Sequence, residues 1–409
     1  MHEQGHFKQY DHVIIGGGIV GLTLALGLAK QGFSLALIDK GPEPKAPQTD
    51  KSVFSPRVSA ISAASQSLFK QLEVWDNILI KQPYTNMHVW DKDGFGNIHF
   101  PSINEADKSV STNEPLGHII ENIQIIVALH EQLKQFENVE LLFSVKKLVI
   151  DTNLYDAETS KQSLIDIKVD QQVIKTALLV GADGANSQVR QAYGFAQTYW
   201  DYNHTAIVAN VNTEFAHNNV TRQVFTPYGP LAFLPLADKH QCSIVFSQQS
   251  ERATQLIELS DSDFANTLYA NINGHYGRVT LNTGRAHFPL RMQYSRQWVA
   301  AGVALVGDAA HTIHPLAGQG ANLGLSDVAC LLNLCEKFKL HQKYASHFVL
   351  RKYERERKAE ALKVVATMEA FKQLFNGQNP GKKLIRNLGL LGADKLPGVK
   401  QFFMHQAMD

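Results

Sequence analysis

The apolar pattern changes period repeatedly along the chain. His12–Ile15 is a short unbroken apolar run, the mark of a strand buried on both faces. Gly16-Gly17-Gly18 signals a turn, Leu22–Lys30 has helical character, and Gly32 stops it. Ser34–Ile38 is a second apolar run, ending at Asp39. These segments predict a strand-turn-helix-strand unit. Lys40–Pro56, rich in Pro, Lys, Gln and Asp, reads as a loop. Val58–Trp75 reads as one helix, Met87–Phe100 as a hairpin turning at Gly94 and Gly96, and Ile123–Phe136 as a helix. Val139–Asp151 and Leu164–Val180 alternate or run apolar, as strands do. Ala206–Val211, Thr221–Phe225, Leu231–Leu236 and Cys242–Ser247 make a strand-rich middle. Val303–Val306 is one more buried strand, followed by a loop and a helix from about Asn322. Beyond Tyr344 the pattern is helical, with Leu362, Val365, Met368, Phe371 and Phe375 at three- and four-residue steps.

No internal repeat interrupts this order. The fold expected is α/β: a Rossmann-like dinucleotide-binding domain (1–80, 112–196 and 285–340) interleaved with a β-sheet substrate domain (81–111 and 197–284). A C-terminal helical region (341–409) follows. At roughly 150 residues per domain, 409 residues fit two to three domains.

Composition narrows the function. Apolar residues are 44% and charged residues 19%, so the chain can bury a sizeable core. Lys and Arg number 39 against 38 Asp and Glu, a balance that argues against a dedicated nucleic-acid binder. The balance hides a division. Residues 341–409 hold 13 basic against 6 acidic residues, a net of +7, while the remainder is net −6. Either this is a solvated helical face, or it meets anionic lipid or an acidic partner, with Lys382, Lys383 and Arg386 as candidates. Three cysteines, Cys242, Cys330 and Cys335, have no CxxC spacing, which fits buried thiols in a reducing compartment better than a disulfide framework or a metal site. His12–Ala29 is uncharged and apolar, but no basic segment precedes it and three glycines open it. A soluble cytoplasmic location is expected.

Four motifs carry chemistry. Gly16-x-Gly18-x-x-Gly21 follows a predicted strand and opens a helix, and Asp39 ends the next strand. Gly16 permits the tight turn, Gly18 lets backbone approach a pyrophosphate, and Gly21 lets helix and strand pack closely. The helix N-terminus offers free N–H groups to the pyrophosphate, and Asp39 can accept from ribose hydroxyls. A glycine-rich turn without a ligand would share the glycines but not the acidic strand end. This fingerprint does not separate NAD from FAD, whereas two later motifs favour a flavin. Leu178–Gly181 runs into Ala182-Asp183-Gly184, followed by Val189-Arg190, and Ala304–Val306 runs into Gly307-Asp308-Ala309-Ala310-His311. Each delivers a carboxylate at the C-terminal end of a strand, where it suits a polyol such as a ribityl chain. Either one alone would also serve as a helix cap. The fourth is His314-Pro315-Leu316-Ala317-Gly318-Gln319-Gly320-Ala321-Asn322, a tight backbone ahead of a helix. A helix dipole there would stabilise negative charge on a reduced flavin. His311 and His314 are candidate acid-base groups, or else fix the loop through hydrogen bonds.

These motifs, in this order, resemble the single-component FAD-dependent aromatic hydroxylases of the p-hydroxybenzoate hydroxylase fold. VGDAAHTIHPLAGQGANLG (306–324), RVSAIS (57–62), LGHIIEN (116–122) and GPLAFLPL (229–236) resemble the ubiquinone-biosynthesis hydroxylases. VWDKDGFG (89–96), YWDYNHTAIVA (199–209), RQVF (222–225) and NPGKKLIRNLG (379–389) look most like the VisC/UbiI branch, the 2-polyprenylphenol 6-hydroxylases. The resemblance covers nearly the whole chain. It implies that Gly16, Gly18, Gly21 and Asp39 hold the adenosine half of FAD. Arg57 and Asn122 would line its phosphate and ribityl region, and Asp183 would serve both FAD and nicotinamide binding. Gly307 and Asp308 would hold the ribityl chain. Pro315, Gly318, Gln319, Gly320, Ala321 and Asn322 would flank the isoalloxazine. Gln124 stands where many relatives carry Arg, which puts a charged contact from that helix in doubt, and Ala321 replaces a common Val.

The activity implied is ring hydroxylation of a polyprenyl phenol with NAD(P)H and O2, through a C4a-hydroperoxide of the flavin. The phenol itself activates the carbon attacked, so the resemblance nominates no catalytic side chain. With a single GxGxxG, NAD(P)H should dock transiently on the FAD domain. Phe233, Leu234 and Leu236 either line an apolar tail channel or form ordinary sheet core. The resemblance also implies a homo-oligomer, with contact to a biosynthetic complex or peripherally to the inner membrane. Other readings are a flavin monooxygenase for another phenol and a flavin-loaded scaffold subunit; a halogenase is disfavoured because no WxWxIP motif is present.

Overall fold

The computed structural model describes residues 7–45, 57–100, 115–152, 164–312 and 320–375. Continuous apolar runs become the buried parallel strands of a first sheet. Here β1 (Lys8–Ile15) lies between β2 (Leu35–Ile38) and β11 (Gln172–Gly181), β8 (Val139–Leu142) flanks β2, and β19 (Val303–Leu305) flanks β11, all parallel. β18 (Val299–Ala300) closes one edge, and the antiparallel pair β9 (Leu148–Ile150) and β10 (Ile165–Val169) is appended to β11. Parallel neighbours need crossover connections, and helix α1 (Ile19–Lys30) makes the one from β1 to β2. The segment His12–Ala29 is thus split between a strand and a twelve-residue helix. Among the described residues no helix is long and apolar enough to cross a membrane.

Alternating segments form the second sheet. Its order is β20 (His311–Thr312), β17 (Ala286–Ser295), β12 (Gln197–Thr213), β15 (Gln241–Gln249), β14 (Gly229–Pro235), β13 (Val220–Thr226), β5 (Asn86–Asp91) and β6 (Asn97–Phe100), with β16 (Val279–Leu281) on β12. Period-two alternation gives this sheet two faces. Ile207, Ala209, Val211, Cys242, Ile244 and Phe246 pack outward with residues of α5 (Ser250–Glu258) and α6 (Asp261–Asn271). The opposite face carries Ala232, Leu234 and Val245 and meets a three-stranded sheet of β3 (Val58–Ile61), β7 (Gly117–Glu121) and β4 (Gln82–Tyr84).

Several expectations are corrected. Val58–Trp75 is not one helix. Val58–Ile61 pairs with Glu121–His118 as a strand, and α2 (Ala63–Gln71) begins only after Ser62. The Ser62 hydroxyl accepts from the Ser65 N–H at 3.2 Å, a cap that fixes where the helix starts. Ser62→Ala is expected to lower stability by about 1 kcal/mol, measured by chemical denaturation. Sheet membership also crosses the expected boundaries. Ala286–Ser295, placed after residue 285 with the dinucleotide-binding part, pairs with β12 in the second sheet, and Gln82–Tyr84 pairs with β7 instead of joining it. Helices α5 and α6, within the expected β-sheet domain, were not anticipated.

The remaining helices are α3 (Asn122–Leu133), α4 (Gln188–Ala192), α7 (Gly320–Phe338) and α8 (His347–Phe375). The expected helical pattern beyond Tyr344 is found as α8, which buries Val349, Leu350, Tyr353, Arg357 and Ala361, while Leu362 is exposed. The side chains of Met368, Phe371 and Phe375, and all of Lys382, Lys383 and Arg386, lie outside the described residues. All three cysteines are free and buried.

Candidate cofactor site

The parallel register aligns the chemistry. Ile15 pairs with both Ile38 and Gly181, and Gly181 pairs with Leu305, so four strands end at one level. Past those ends lie, in order across the sheet, Asp39, the Gly16 turn, the Asp183 turn and the Gly307-Asp308 turn. The C-terminal edge of a parallel sheet is where such folds bind ligands. A cavity of about 920 Å³ opens there, at the upper end of the size of small-molecule sites. Its walls include Gly16, Gly18, Asp39, Arg57, Asn122, Asp183, Gly307, Asp308, Gly320 and Ala321. The second sheet supplies the facing wall through Val208, Val245, Phe288, Pro289, Leu290 and Arg291.

Each turn is built for close approach. Gly16 has φ +117°, and a Cβ there would lie 2.3 Å from the Ala182 carbonyl oxygen. Gly18 caps α1 with no side-chain cap bond, and a Cβ on it would meet nothing within 4 Å. The first-turn N–H groups of α1 are therefore available to an anion. Asp39 accepts from the N–H groups of Gly17 and Gly41, both at 2.5 Å, which locks its carboxylate at the cavity wall. Asp183 does double service. Its Oδ2 accepts from the Gln188 N–H at 2.6 Å and the Val189 N–H at 3.3 Å, capping α4, while its buried Oδ1 has no partner. An unpaired buried carboxylate oxygen in a cavity wall calls for a donor from a ligand. Asp308 is exposed on the cavity wall. The protein packed around its carboxyl disfavours the charge and raises its pKa, opposed by His311 and assisted by the negative charge of Asp327.

Other residues hold these turns in place. The buried Arg190 guanidinium donates from Nη2 to Ala185 O at 2.6 Å and from Nη1 to Ala309 O at 2.9 Å, tying the Asp183 and Asp308 turns together. Fully buried Asp327, on α7, accepts at Oδ2 from the Gly307 N–H at 2.9 Å and from His311 Nε2 at 2.6 Å. Its Oδ1 accepts from Arg357 Nε, on α8, at 2.8 Å. Burial alone would raise the Asp327 pKa, but His311 and Arg357 override it and leave the carboxyl below its ordinary value. His311 thus fixes the loop by hydrogen bonding. Asp327 and Arg357 were missed in the sequence, where they read as ordinary helix polar positions.

Two motif residues lie off the cavity wall, Gly21 in the close helix–strand packing expected of it. Gly21 is behind the wall, where a Cβ would sit 1.9 Å from the Gly16 carbonyl oxygen. Buried Asn322 accepts at Oδ1 from the Ser62 N–H and donates from Nδ2 to Ala60 O, anchoring α7 to β3. Phe233 faces the outer core, whereas Leu234 and Leu236 belong to the inner one, and none of them lines the cavity. His314, Pro315, Gly318 and Gln319 lie outside the described residues.

The described walls fit FAD: free helix N–H groups for a pyrophosphate, carboxylates at strand ends for polyol hydroxyls, and apolar surface for a ring system. Comparison with known proteins agrees. The model of the FAD-binding domain family matches residues 9–368. A mitochondrial ubiquinone biosynthesis monooxygenase of Xenopus tropicalis is 34% identical, over 97% of this chain and 92% of its own length. The 3-demethoxyubiquinol 3-hydroxylase of Escherichia coli is 36% identical over 97% of each chain. The ubiquinone hydroxylase UbiL of Rhodospirillum rubrum is 32% identical, over 98% of this chain and 90% of its own. Among solved structures, p-nitrophenol 4-monooxygenase of Pseudomonas putida superposes with a TM-score of 0.76 at 17% identity, covering 98% of both chains. PqsL of Pseudomonas aeruginosa, a probable FAD-dependent monooxygenase, gives 0.76 at 18%, covering 94% of this chain and 100% of its own. These two establish the fold. The family match over residues 9–368, with hydroxylase relatives at 34% and 36% identity over nearly the whole chain, shows that the chain belongs to the FAD-binding domain family and is an FAD-dependent aromatic hydroxylase.

Proposed function

We propose that this enzyme hydroxylates the aromatic ring of a polyprenylated phenol in ubiquinone biosynthesis, with NAD(P)H and O2 as co-substrates. The observation that carries this reading is alignment over at least 97% of the chain with relatives named for ubiquinone synthesis. Bound FAD supplies the redox chemistry: two electrons from NAD(P)H, one oxygen atom of O2 into the ring, and the other released as water. The chain's own part is to bind and to exclude. The turns at Gly16, Asp183 and Asp308 would hold the cofactor, and Val208, Val245, Phe288 and Leu290 give the substrate apolar wall beside Arg291. The phenol activates its own ortho carbon, which supports a mechanism without a dedicated side-chain base. The net +7 of residues 341–409 supports contact with an anionic surface that delivers so apolar a substrate.

The direct test incubates FAD-loaded protein with a short-chain prenylated phenol, NAD(P)H and O2. A product heavier by one oxygen atom is expected, and NAD(P)H consumption yielding only hydrogen peroxide across a panel of phenols overturns the reading. Quinone analysis of cells lacking the protein then gives the ring position, because the accumulated intermediate lacks that hydroxyl. The carboxylate of Asp308 gives a narrower test. Asp308→Ala is expected to weaken FAD binding on the order of ten- to hundredfold, the loss of one or two charge-assisted hydrogen bonds. Fluorescence titration of the apoprotein with FAD measures it.

A further inference from the structure

The corner where α7 runs into α8 carries apolar side chains that the fold leaves uncovered. Leu340, in the short turn Lys339–His341, is 93% exposed, the highest value for a large apolar side chain among the described residues. Phe348, in the first turn of α8, is 70% exposed. Lone exposed apolar residues are ordinary on a protein surface, but these two share one corner with a third apolar ring. Lys352 Nζ lies 4.5 Å from the centroid of the Phe348 ring and 5.1 Å from that of Phe338, which joins the last turn of α7 to the first of α8. The backbone of this corner is anchored. The Lys343 N–H donates to Phe338 O at 3.2 Å, Lys339 Nζ donates to Gln31 O, and the Tyr344 hydroxyl donates to Asp11 Oδ1 at 3.1 Å. Leu340 is thus held outward from a fixed turn.

The charge around these side chains has one sign. Between Glu336 and Glu354 the chain holds five Lys and Arg and no Asp or Glu. Arg351 is paired with Glu354 and Lys339 turns inward, which leaves Lys337, Lys343 and Lys352 in no ion pair among the described residues. Like charge opposes packing of this face on a second copy of itself. Lysine is depleted at protein–protein interfaces, whereas Lys beside Leu and Phe suits the headgroup layer of a bilayer, where apolar tips enter and ammonium groups meet phosphates. We propose that the α7–α8 corner is a docking face for an anionic lipid bilayer, with Leu340 and Phe348 inserted and Lys337, Lys343 and Lys352 around them. Ala345 O accepts from the Gly302 N–H ahead of β19, and Phe33, ahead of β2, packs on Tyr344. The face therefore lies at the N-terminal ends of the parallel strands. The cofactor turns lie at the opposite ends, so docking leaves them open to NAD(P)H. The inference rests on the anionic-surface reading above and moves it from the charge of residues 341–409 as a whole to a built surface.

The test is flotation of the FAD-loaded protein with vesicles of phosphatidylcholine alone and of phosphatidylcholine mixed with phosphatidylglycerol. The wild type is expected to bind the anionic vesicles at least about tenfold more tightly. Leu340→Ser combined with Phe348→Ser should weaken that binding about tenfold or more. Lys337→Glu combined with Lys343→Glu should abolish the preference for anionic lipid. All four side chains are exposed, so thermal midpoint, FAD content and NAD(P)H consumption with a soluble short-chain phenol should not change. Vesicle binding that both variants retain overturns the face. So does loss of binding only on charge reversal of Lys382, Lys383 and Arg386, which moves the contact elsewhere in 341–409 and leaves the anionic-surface reading standing. A wild type that binds neither vesicle overturns both. Dimers that form without lipid and are broken by the Leu340 and Phe348 changes overturn the lipid assignment in favour of a second copy. Failure to hydroxylate a prenylated phenol while vesicle binding holds removes the substrate reading and leaves the face standing.

Discussion

Gly21→Val is expected to give a protein that retains no FAD and is less stable by about 3 kcal/mol or more, whereas Gly18→Ala should fold normally and bind FAD weakly. The contrast follows from two glycines three residues apart on one motif. A Cβ on Gly21 lies 1.9 Å from the Gly16 carbonyl oxygen and 3.2 Å from the Ala182 Cβ. Neither the carbonyl nor the strand behind it can retreat, because Ile15 and Gly16 are bonded into the sheet on both sides: Ala182 N–H donates to Ile15 O at 2.7 Å, and Gly16 N–H donates to Ile38 O at 2.8 Å. Relief requires α1 to lift away, and α1 is packed so closely on α7 that a Cβ on Gly27 would lie 2.3 Å from Leu332 Cδ1. Gly18 is the opposite case. Its φ of −80° and ψ of −177° suit any residue, and a Cβ meets nothing within 4 Å of protein. The open space is the cavity itself, so an added methyl intrudes on a ligand and not on the fold. Denaturation of the apoproteins and FAD titration separate the two effects. Equal stability of Gly21→Val and wild type would refute the packing argument, and unimpaired FAD binding by Gly18→Ala would refute the placement of the pyrophosphate.

This contrast also shows what the sequence disclosed. Glycine spacing, the strand-end Asp39 and the two later carboxylates could be read because parallel strands put chemistry at fixed chain positions, one residue or two past each apolar run. The site was legible where it is local to a strand end. It was not legible where it depends on side chains that approach from another element. Asn322 is named by its motif yet turns to Ser62 and Ala60, more than 250 positions away in sequence. Val58–Ile61 carries an apolar pattern that suits either a helix or a strand, and only pairing with Glu121–His118 decides it. Helices α5 and α6 were readable but overlooked: α5 is strongly amphipathic, and Ser260 caps α6 by accepting from the Asp263 N–H, with Asp261 and Asp263 in its first turn. Arg357 lies in a run of charged residues, Arg351–Lys358, that reads as a solvated face, and nothing local marks it as buried.

That burial sets the second large effect. Asp327→Ala is expected to destabilise the protein by about 3–5 kcal/mol and to strip it of FAD. The loss leaves the Arg357 guanidinium buried without its carboxylate and the Gly307 N–H and His311 Nε2 without their acceptor. Gly307 holds φ +58° beside the cavity-facing Asp308, so the turn loses the bond from α7 to its Gly307 N–H. Asp327→Asn keeps the shape and one carbonyl oxygen but not the charge, and should fall between wild type and Ala. Asp327→Leu combined with Arg357→Met removes both charges together and should recover part of the stability without recovering FAD, because apolar packing replaces an ion pair but not an acceptor for Gly307. The pH dependence has a definite sign. The Asp327 carboxyl is held below its ordinary value in the folded state, so its contribution is present above the unfolded pKa of 3.8 and is lost as pH falls through the lower folded value. Thermal midpoints measured between pH 5 and pH 3 should therefore fall more steeply for wild type than for Asp327→Asn. Parallel curves would mean that the buried carboxylate, however well bonded, does not couple α8 to the cofactor turn through its charge.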